Sequence, residues 1–247
     1  MGKLYIVGFG PGNPEAMTEA CRSCLQKADV IVGYAGYVRL LRLLFPDKAF
    51  DETGMRHETE RCRAAIQHAK EGKTVCIVSS GDGGVYGMAS LLFELAADGP
   101  DTDTDMKIEV IPGVTAAVSG AALLGAPIGN DFAVVSLSDL LTPWETIVKR
   151  LRAAAAGDFA ICLYNPGSAK RRSHLRGACD ILLEAMPSKR LCGITRNIGR
   201  DRQSVSLMTL GELREVQAGM TETIFIGNSQ TRNIGGRMVT PRGYRHD

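Results

Sequence analysis

No run in this chain approaches the ~20 apolar residues that span a bilayer, so a membrane-spanning helix is excluded and no membrane partner is expected. The first eight residues, Met1-Gly-Lys-Leu-Tyr-Ile-Val-Gly8, hold no long apolar core or small-residue cleavage site, and Ile6 stands where a myristoylation signal carries Ser or Thr. A cytoplasmic protein is expected. The formal charge of +2 over 247 residues is too small to argue for a nucleic-acid partner. Seven cysteines, an odd number scattered through apolar runs, do not make a disulfide framework. Cys21 and Cys24 form one close pair, but inside a predicted helix rather than at a helix start after a strand, which speaks against a redox motif. The four histidines, at 57, 68, 174 and 246, lack ligand spacing with cysteines or carboxylates, so no metal site is expected. There is no G-x-S-x-G elbow to supply an acyl nucleophile, no internal repeat and no low-complexity tract.

Two nucleotide signatures are approached and missed. Gly8-Phe-Gly-Pro-Gly12 follows a strand, but the third glycine of the dinucleotide fingerprint would fall on Asn13, and Pro11 stiffens a segment that the fingerprint keeps flexible. Gly72-Lys73-Thr74 imitates the end of a phosphate loop, yet it precedes its strand, and Gln67 occupies the position of the first glycine.

What is present is an alternation of short β-branched runs with helical patterns, joined by glycine-rich loops. The apolar run Thr74 to Val78 predicts a strand, Ser79-Ser-Gly-Asp-Gly-Gly-Val-Tyr-Gly87 a loop, and Met88 to Ala97 a helix. In open α/β sheets ligands sit at the carboxyl ends of strands, where glycines let the backbone approach without a Cβ in the way. Asp82 is the one charged side chain in that loop; its competing role is a cap or turn residue. Strand Lys107 to Ile111 likewise runs into Pro112-Gly-Val-Thr115-Ala116-Ala117, and strand Lys3 to Val7 into Gly8 to Pro14 and a helix from Glu15 to Ala28. Asp51 to His57 reads as a polar loop. The helix Glu58 to Lys70 carries Cys62, Ala65, Ile66 and Ala69 on one face. Asp98 to Asp105 reads as an acidic surface loop.

The second half repeats the alternation: strands at 132–136, 159–164 and 190–195, with helices at 144–155 and 173–186, then strands at 204–208 and 223–227 around a short helix from Leu210. Small residues around 121–130 suggest a linker between an N-terminal α/β domain (1–120) and a C-terminal one (131–247). Basic residues cluster at Arg56, His57, Arg61 and Arg63 and again at Lys170, Arg171, Arg172 and Arg176. Glycine loops at strand ends beside arginine patches suggest a nucleotide-like ligand next to a polyanionic substrate.

These residues resemble the tetrapyrrole (corrin/porphyrin) methylases that use S-adenosyl-L-methionine. The general likeness rests on Gly8 to Gly12, Ser80-Gly81-Asp82-Gly83 and Pro112-Gly-Val-Thr-Ala116. Ser136-Leu-Ser-Asp-Leu-Leu-Thr-Pro-Trp144, Thr53-Gly54-Met55 through Glu58 and Arg61, and Thr240-Pro-Arg-Gly-Tyr244 resemble one branch, the C17-methyltransferases acting on precorrin-3B or, alternatively, cobalt-factor III. The family usually has Pro after the loop Asp; here Gly83 stands there. The resemblance implies a class III methyltransferase fold of two α/β domains with the cofactor in the cleft between them, usually as a homodimer. It implies a cofactor site of Pro11, Gly81, Asp82, Gly83, Val85, Thr115, Ala116, Asn165, Thr223 and Ile224, releasing S-adenosyl-L-homocysteine. The implied reaction is methylation at C17 coupled to ring contraction. Contraction calls for a base, with His57, Glu58, Asp82 and Asp139 as candidates. Arg56, Arg61, Lys170, Arg171 and Arg172 are the candidates for holding substrate carboxylates, since guanidinium forks match them.

Overall fold

Strands buried on both faces carry continuous apolar runs rather than alternating ones, and Val30-Ile-Val32 and Val75-Cys-Ile-Val78 are such runs, buried throughout. The computed structural model describes residues 2–98 and 106–245. It divides into two compact units, the first ending at Thr115 and the second beginning at Ala116.

In the first unit β1 (Lys3–Gly8), β2 (Val30–Tyr34), β3 (Ala49–Thr53), β4 (Thr74–Ser79) and β5 (Lys107–Ile111) form an all-parallel sheet of order β3-β2-β4-β1-β5. Helices α1 (Glu19–Lys27) and α2 (Ala35–Leu44) cover one face through Cys21, Leu25 and Leu41. Helices α3 (Glu58–Lys70) and α4 (Ala89–Ala97) cover the other through Cys62, Ala65, Ala69 and Leu92.

The second unit is mixed. β7 (Phe132–Ser136), β8 (Ala160–Tyr164), β9 (Leu191–Arg196), β10 (Ser204–Thr209) and β11 (Glu222–Ile226) are ordered β10-β9-β11-β8-β7, with only the β7–β8 pair parallel. Helices α6 (Trp144–Ala156), α7 (His174–Leu183) and α8 (Leu210–Leu213) pack on one face around Leu151, Leu182 and Ile194. Helix α5 (Ala116–Leu124) packs with Phe225 and Met238. A small sheet joins β12 (Arg232–Ile234), β13 (Arg237–Val239) and β6 (Gly125–Ala126).

Four expectations change. The helix foreseen from Glu15 is interrupted: Pro14–Ala16 is a short 3₁₀ turn, and α1 starts only after Thr18, whose hydroxyl accepts from the Cys21 amide at 3.1 Å. Asp51 to Thr53, read as the start of a polar loop, instead complete β3, an edge strand with no fully buried residue to mark it. The segment 121–130 is not a linker, because α5 lies on Phe225 and β6 pairs with β13; the chain passes between units at Thr115 and Ala116. Strands β12 and β13 were not foreseen, although Gly235-Gly236, both at positive φ, is a two-residue hairpin signal. Of the acidic stretch, residues 99–105 lie outside the described residues, as does His246. Among the described residues no helix is long and apolar enough to cross a membrane.

Candidate active site

Because β4, β1 and β5 are adjacent and parallel, their carboxyl ends bring three loops side by side: Ser80 to Gly87, Gly8 to Asn13 and Pro112 to Thr115. The backbone ties them. Gly10 and Gly81 exchange amide-to-carbonyl bonds of 3.0 and 2.7 Å, and the Phe9 amide donates to the Ser79 carbonyl at 3.0 Å. A Cβ on Gly113 would overlap the carbonyl oxygens of both Gly81 and Gly8, so only glycine lets the three chains close up there.

Asp82 locks this junction. One carboxylate oxygen accepts from the Gly84 amide at 2.7 Å and the other from the Gly113 amide at 2.8 Å, so a single side chain turns its own loop and staples it to the next strand end. Its turn-forming role is therefore realised, with each oxygen accepting one backbone amide. Beyond it Val85 and Tyr86 are exposed, while Pro11 and Gly83 are buried in the junction. What the loops bring together is main chain with the side chains of Ser80 and Thr115, the Ser80 hydroxyl donating to the Gly10 carbonyl at 3.4 Å.

The basic cluster beside α3 separates into two kinds of residue. Arg61 is 4% exposed; its guanidinium donates to the Thr53 hydroxyl and the Gly54 carbonyl, both at 2.9 Å, and touches the Met88 sulfur. That corrects its expected role: it props the segment 53–54 and is not offered to a ligand. Arg56 is exposed, with left-handed backbone at φ 68°. His57 and Glu58 are exposed too, and His57 Nδ1 lies 2.7 Å from a Glu60 carboxylate oxygen, which leaves Nε2 as the outward nitrogen. Glu60 was missed, although an acid three residues after a histidine at a helix start is a legible pairing.

In the second unit the stretch Ser136 to Trp144 leaves β7 and is pinned by side chains from far along the chain. Asn165, at φ 52° just past β8, donates to the Ser136 hydroxyl at 3.0 Å, and the Ser138 amide donates to the same oxygen at 3.2 Å. Buried Arg171 donates to the Ser138 hydroxyl. His174 Nε2 lies 3.0 Å from Asp139, and its ring meets Trp144 edge to face with centroids 5.1 Å apart. The His174 contact holds the Asp139 carboxyl below its ordinary range. The tip, Leu140 and Leu141, is 65% and 99% exposed. Arg171 is thus a support for this loop, a second correction, while Lys170 and Arg172 remain exposed. His174 was missed because no sequence signal links it to Asp139.

Tyr164, at the end of β8, accepts from the Ala117 amide at 2.8 Å. On β11, Thr223 is 5% exposed with its carbonyl accepting from the Thr195 hydroxyl, and the Ile224 side chain is wholly buried in the core, so Ile224 can offer a ligand only its backbone.

The model of the Tetrapyrrole (Corrin/Porphyrin) Methylases matches residues 3–214. The chain belongs to that family. Among tetrapyrrole methylases it is similar to the probable cobalt-factor III C(17)-methyltransferase of Salmonella typhimurium, 43% identical over 98% of this chain and 99% of that one. It is similar also to the precorrin-3B C(17)-methyltransferase of a Sinorhizobium species, 38% identical over 98% of this chain and 97% of the other. The crystal structure of the methyltransferase CobJ superposes with a TM-score of 0.90 at 37% identity, covering 98% of this chain and 100% of that one. Both α/β units therefore fall within a fold that this family already has in experimental form.

Proposed function

We propose that this tetrapyrrole methylase is an S-adenosylmethionine-dependent C17-methyltransferase acting in ring contraction of a corrin precursor. The observation that carries the reading is likeness at 38–43% identity over nearly the whole length to proteins named for that reaction. Precorrin-3B was the first expectation and cobalt-factor III the alternative. The higher identity to the relative named for cobalt-factor III favours reversing that order. A cobalt ion, where present, belongs to the substrate.

The bound cofactor supplies an electrophilic methyl group on a sulfonium. The residues proposed to hold it are Pro11, Gly81, Asp82, Gly83, Val85 and Thr115 in the first unit and Ala116, Asn165, Thr223 and Ile224 in the second. Their support is chemical: backbone donors and acceptors at strand ends position a ligand without strong charge, and positioning is most of what transfer to an electron-rich enamine carbon needs. Asp82 acts here by fixing the loop, not as a base.

For ring contraction we assign the base to His57, with Glu60 holding Nδ1 so that Nε2 faces the proton to be taken. Glu58 and Asp139 are the remaining candidates, Asp139 being engaged by His174. Arg56, Lys170 and Arg172 are the exposed cations left to pair with substrate carboxylates. A homodimer in the cytoplasm is part of the proposal.

The test is anaerobic incubation of the protein with S-adenosylmethionine and, in parallel, cobalt-factor III or metal-free precorrin-3B, followed by mass spectrometry and absorbance of the pigment. The expected product is one methylene heavier with an altered chromophore, formed faster from cobalt-factor III. Binding of S-adenosylhomocysteine without turnover of either pigment would overturn the assignment and leave a non-catalytic binder. Replacing His57 by Gln is expected to slow turnover by roughly 10²–10⁴-fold with cofactor affinity unchanged; an unaffected rate removes it as the base.

A further inference from the structure

Two cysteines that are far apart in sequence meet where α1 lies on β4. The Cys24 and Cys76 sulfurs are 3.4 Å apart, and the Cys76 thiol also reaches the Cys24 carbonyl at 3.6 Å. Neither the Cys21/Cys24 spacing nor any other local feature announces the pair. Cys76 is wholly buried, whereas Cys24 is 8% exposed and lines a cavity of about 480 Å³ whose other walls include Lys3, Tyr5, Lys27, Thr74 and Glu109. All seven cysteines are reduced and buried, yet only Cys24 has this combination of a thiol partner in contact and a wall on a cavity.

We propose that Cys24 and Cys76 are a peroxide-responsive thiol pair that closes to a reversible disulfide between α1 and β4, with Cys24 reacting first. The sulfurs need to approach by about 1.4 Å to reach bonding distance, a shift within reach of side-chain rotation on a helix packed against a strand. In the first step the Cys24 thiolate attacks a peroxide oxygen: an S–O bond forms, the O–O bond breaks, and the departing hydroxide takes up a proton as water. In the second, the Cys76 sulfur attacks the Cys24 sulfenic acid: the S–S bond forms, the S–O bond breaks, and the hydroxyl leaves as water with the Cys76 proton. Two thiols and one peroxide thus become one disulfide and two waters.

The electrostatics agree with that order. The hydrogen bond from Cys76 holds the Cys24 thiol below its ordinary range, while the same bond and burial push Cys76 far above it. Burial pushes Cys21 up to about 12, Cys62 to about 11 and Cys179 to about 12, and raises Cys162 and Cys192 as well, so thiolate character concentrates on Cys24. Helix α1 follows the Gly8 to Asn13 loop and β4 feeds the Ser80 to Gly87 loop. The bond would therefore join the elements that carry two of the three strand-end loops.

The test uses the full chain, freshly reduced and freed of reductant, treated with a small excess of hydrogen peroxide, then denatured, alkylated and mapped by mass spectrometry. Expected is a fall from seven alkylatable thiols to five, a cross-linked pair of peptides containing Cys24 and Cys76, and return to seven on adding dithiothreitol. In Cys76→Ser, Cys24 should stop as a sulfenic acid captured by dimedone. Seven thiols surviving in the unsubstituted protein, or oxidation falling on other cysteines or stopping at Cys24 without a cross-link, overturns the proposal. The unsubstituted chain alone decides it, whether or not the variant folds.

Discussion

The loop after β4 and the loop after β7 solve one problem in two ways. Ser80 to Gly87 is held by main chain: the Gly10–Gly81 exchange, the Asp82 carboxylate on two amides, and glycines that let carbonyl oxygens pass where a Cβ would sit. Ser136 to Trp144 is held by side chains from later in the sequence, namely Asn165, Arg171 and His174. Main-chain locking depends on residues having no side chain, so it fails abruptly when one is added. Side-chain locking is divided among separate contacts and fails in parts.

The largest effect should therefore come from Gly113→Ala. Its Cβ meets backbone on two sides, and overpacking against atoms that cannot rotate away is expected to cost about 3 kcal/mol or more, seen as a lower urea midpoint and lost binding of S-adenosylhomocysteine. A midpoint within error of the parent would show that the junction is looser than the second loop, reversing the comparison.

Next are the two buried arginines. Arg61→Ala and Arg171→Ala each remove a buried, hydrogen-bonded side chain and leave a space, for an expected loss of about 2–3 kcal/mol, whereas Arg56→Ala and Arg172→Ala should stay within about 0.5 kcal/mol. Denaturation of all four separates supports from exposed cations; equal losses would show that burial is the wrong way to sort them.

Asp82→Asn sharpens the comparison further. The amide retains one acceptor but points its NH₂ at a backbone N–H, with an expected cost of about 2 kcal/mol and weaker S-adenosylhomocysteine binding by calorimetry. Unchanged binding would remove Asp82 from the cofactor site.

The smallest effect is a titration. The Asp139 carboxyl sits below its ordinary 3.8 because it accepts from His174. A depressed carboxyl contributes stability that is complete above the unfolded-state value and disappears as pH falls through the folded one, so the contribution is lost only below about pH 4. Carbon-detected NMR should place the Asp139 midpoint below 3.8 in the parent and move it upward in His174→Phe. A midpoint that does not move would mean that another group sets it.

Much of the first loop was legible in residue types alone. Three Gly/Pro-rich turns after three β-branched runs placed the junction, since glycine at a strand end is itself the physical device. The β4 and α3 assignments followed from run length and helical spacing. By contrast, Arg61 and Arg171 looked like the exposed arginines beside them, because charge is visible in sequence and burial is not. Edge strand β3 lacked an apolar pattern, and the C-terminal end of α5, from residue 121, passed for a linker because small residues such as those that fit against Phe225 also compose flexible segments.

What the sequence determined by itself is local and repetitive: strand and helix periods, the turns that glycine and proline permit, and a motif set specific enough to identify the family. Tertiary structure decided whatever depends on atoms brought together over long separations. It committed Asp82 to the Gly113 amide, buried two of the candidate arginines, set His174 against Asp139, and brought the Cys24 and Cys76 sulfurs into contact. Those partners are chosen by strand order and helix packing, and no local pattern of residues carries that information.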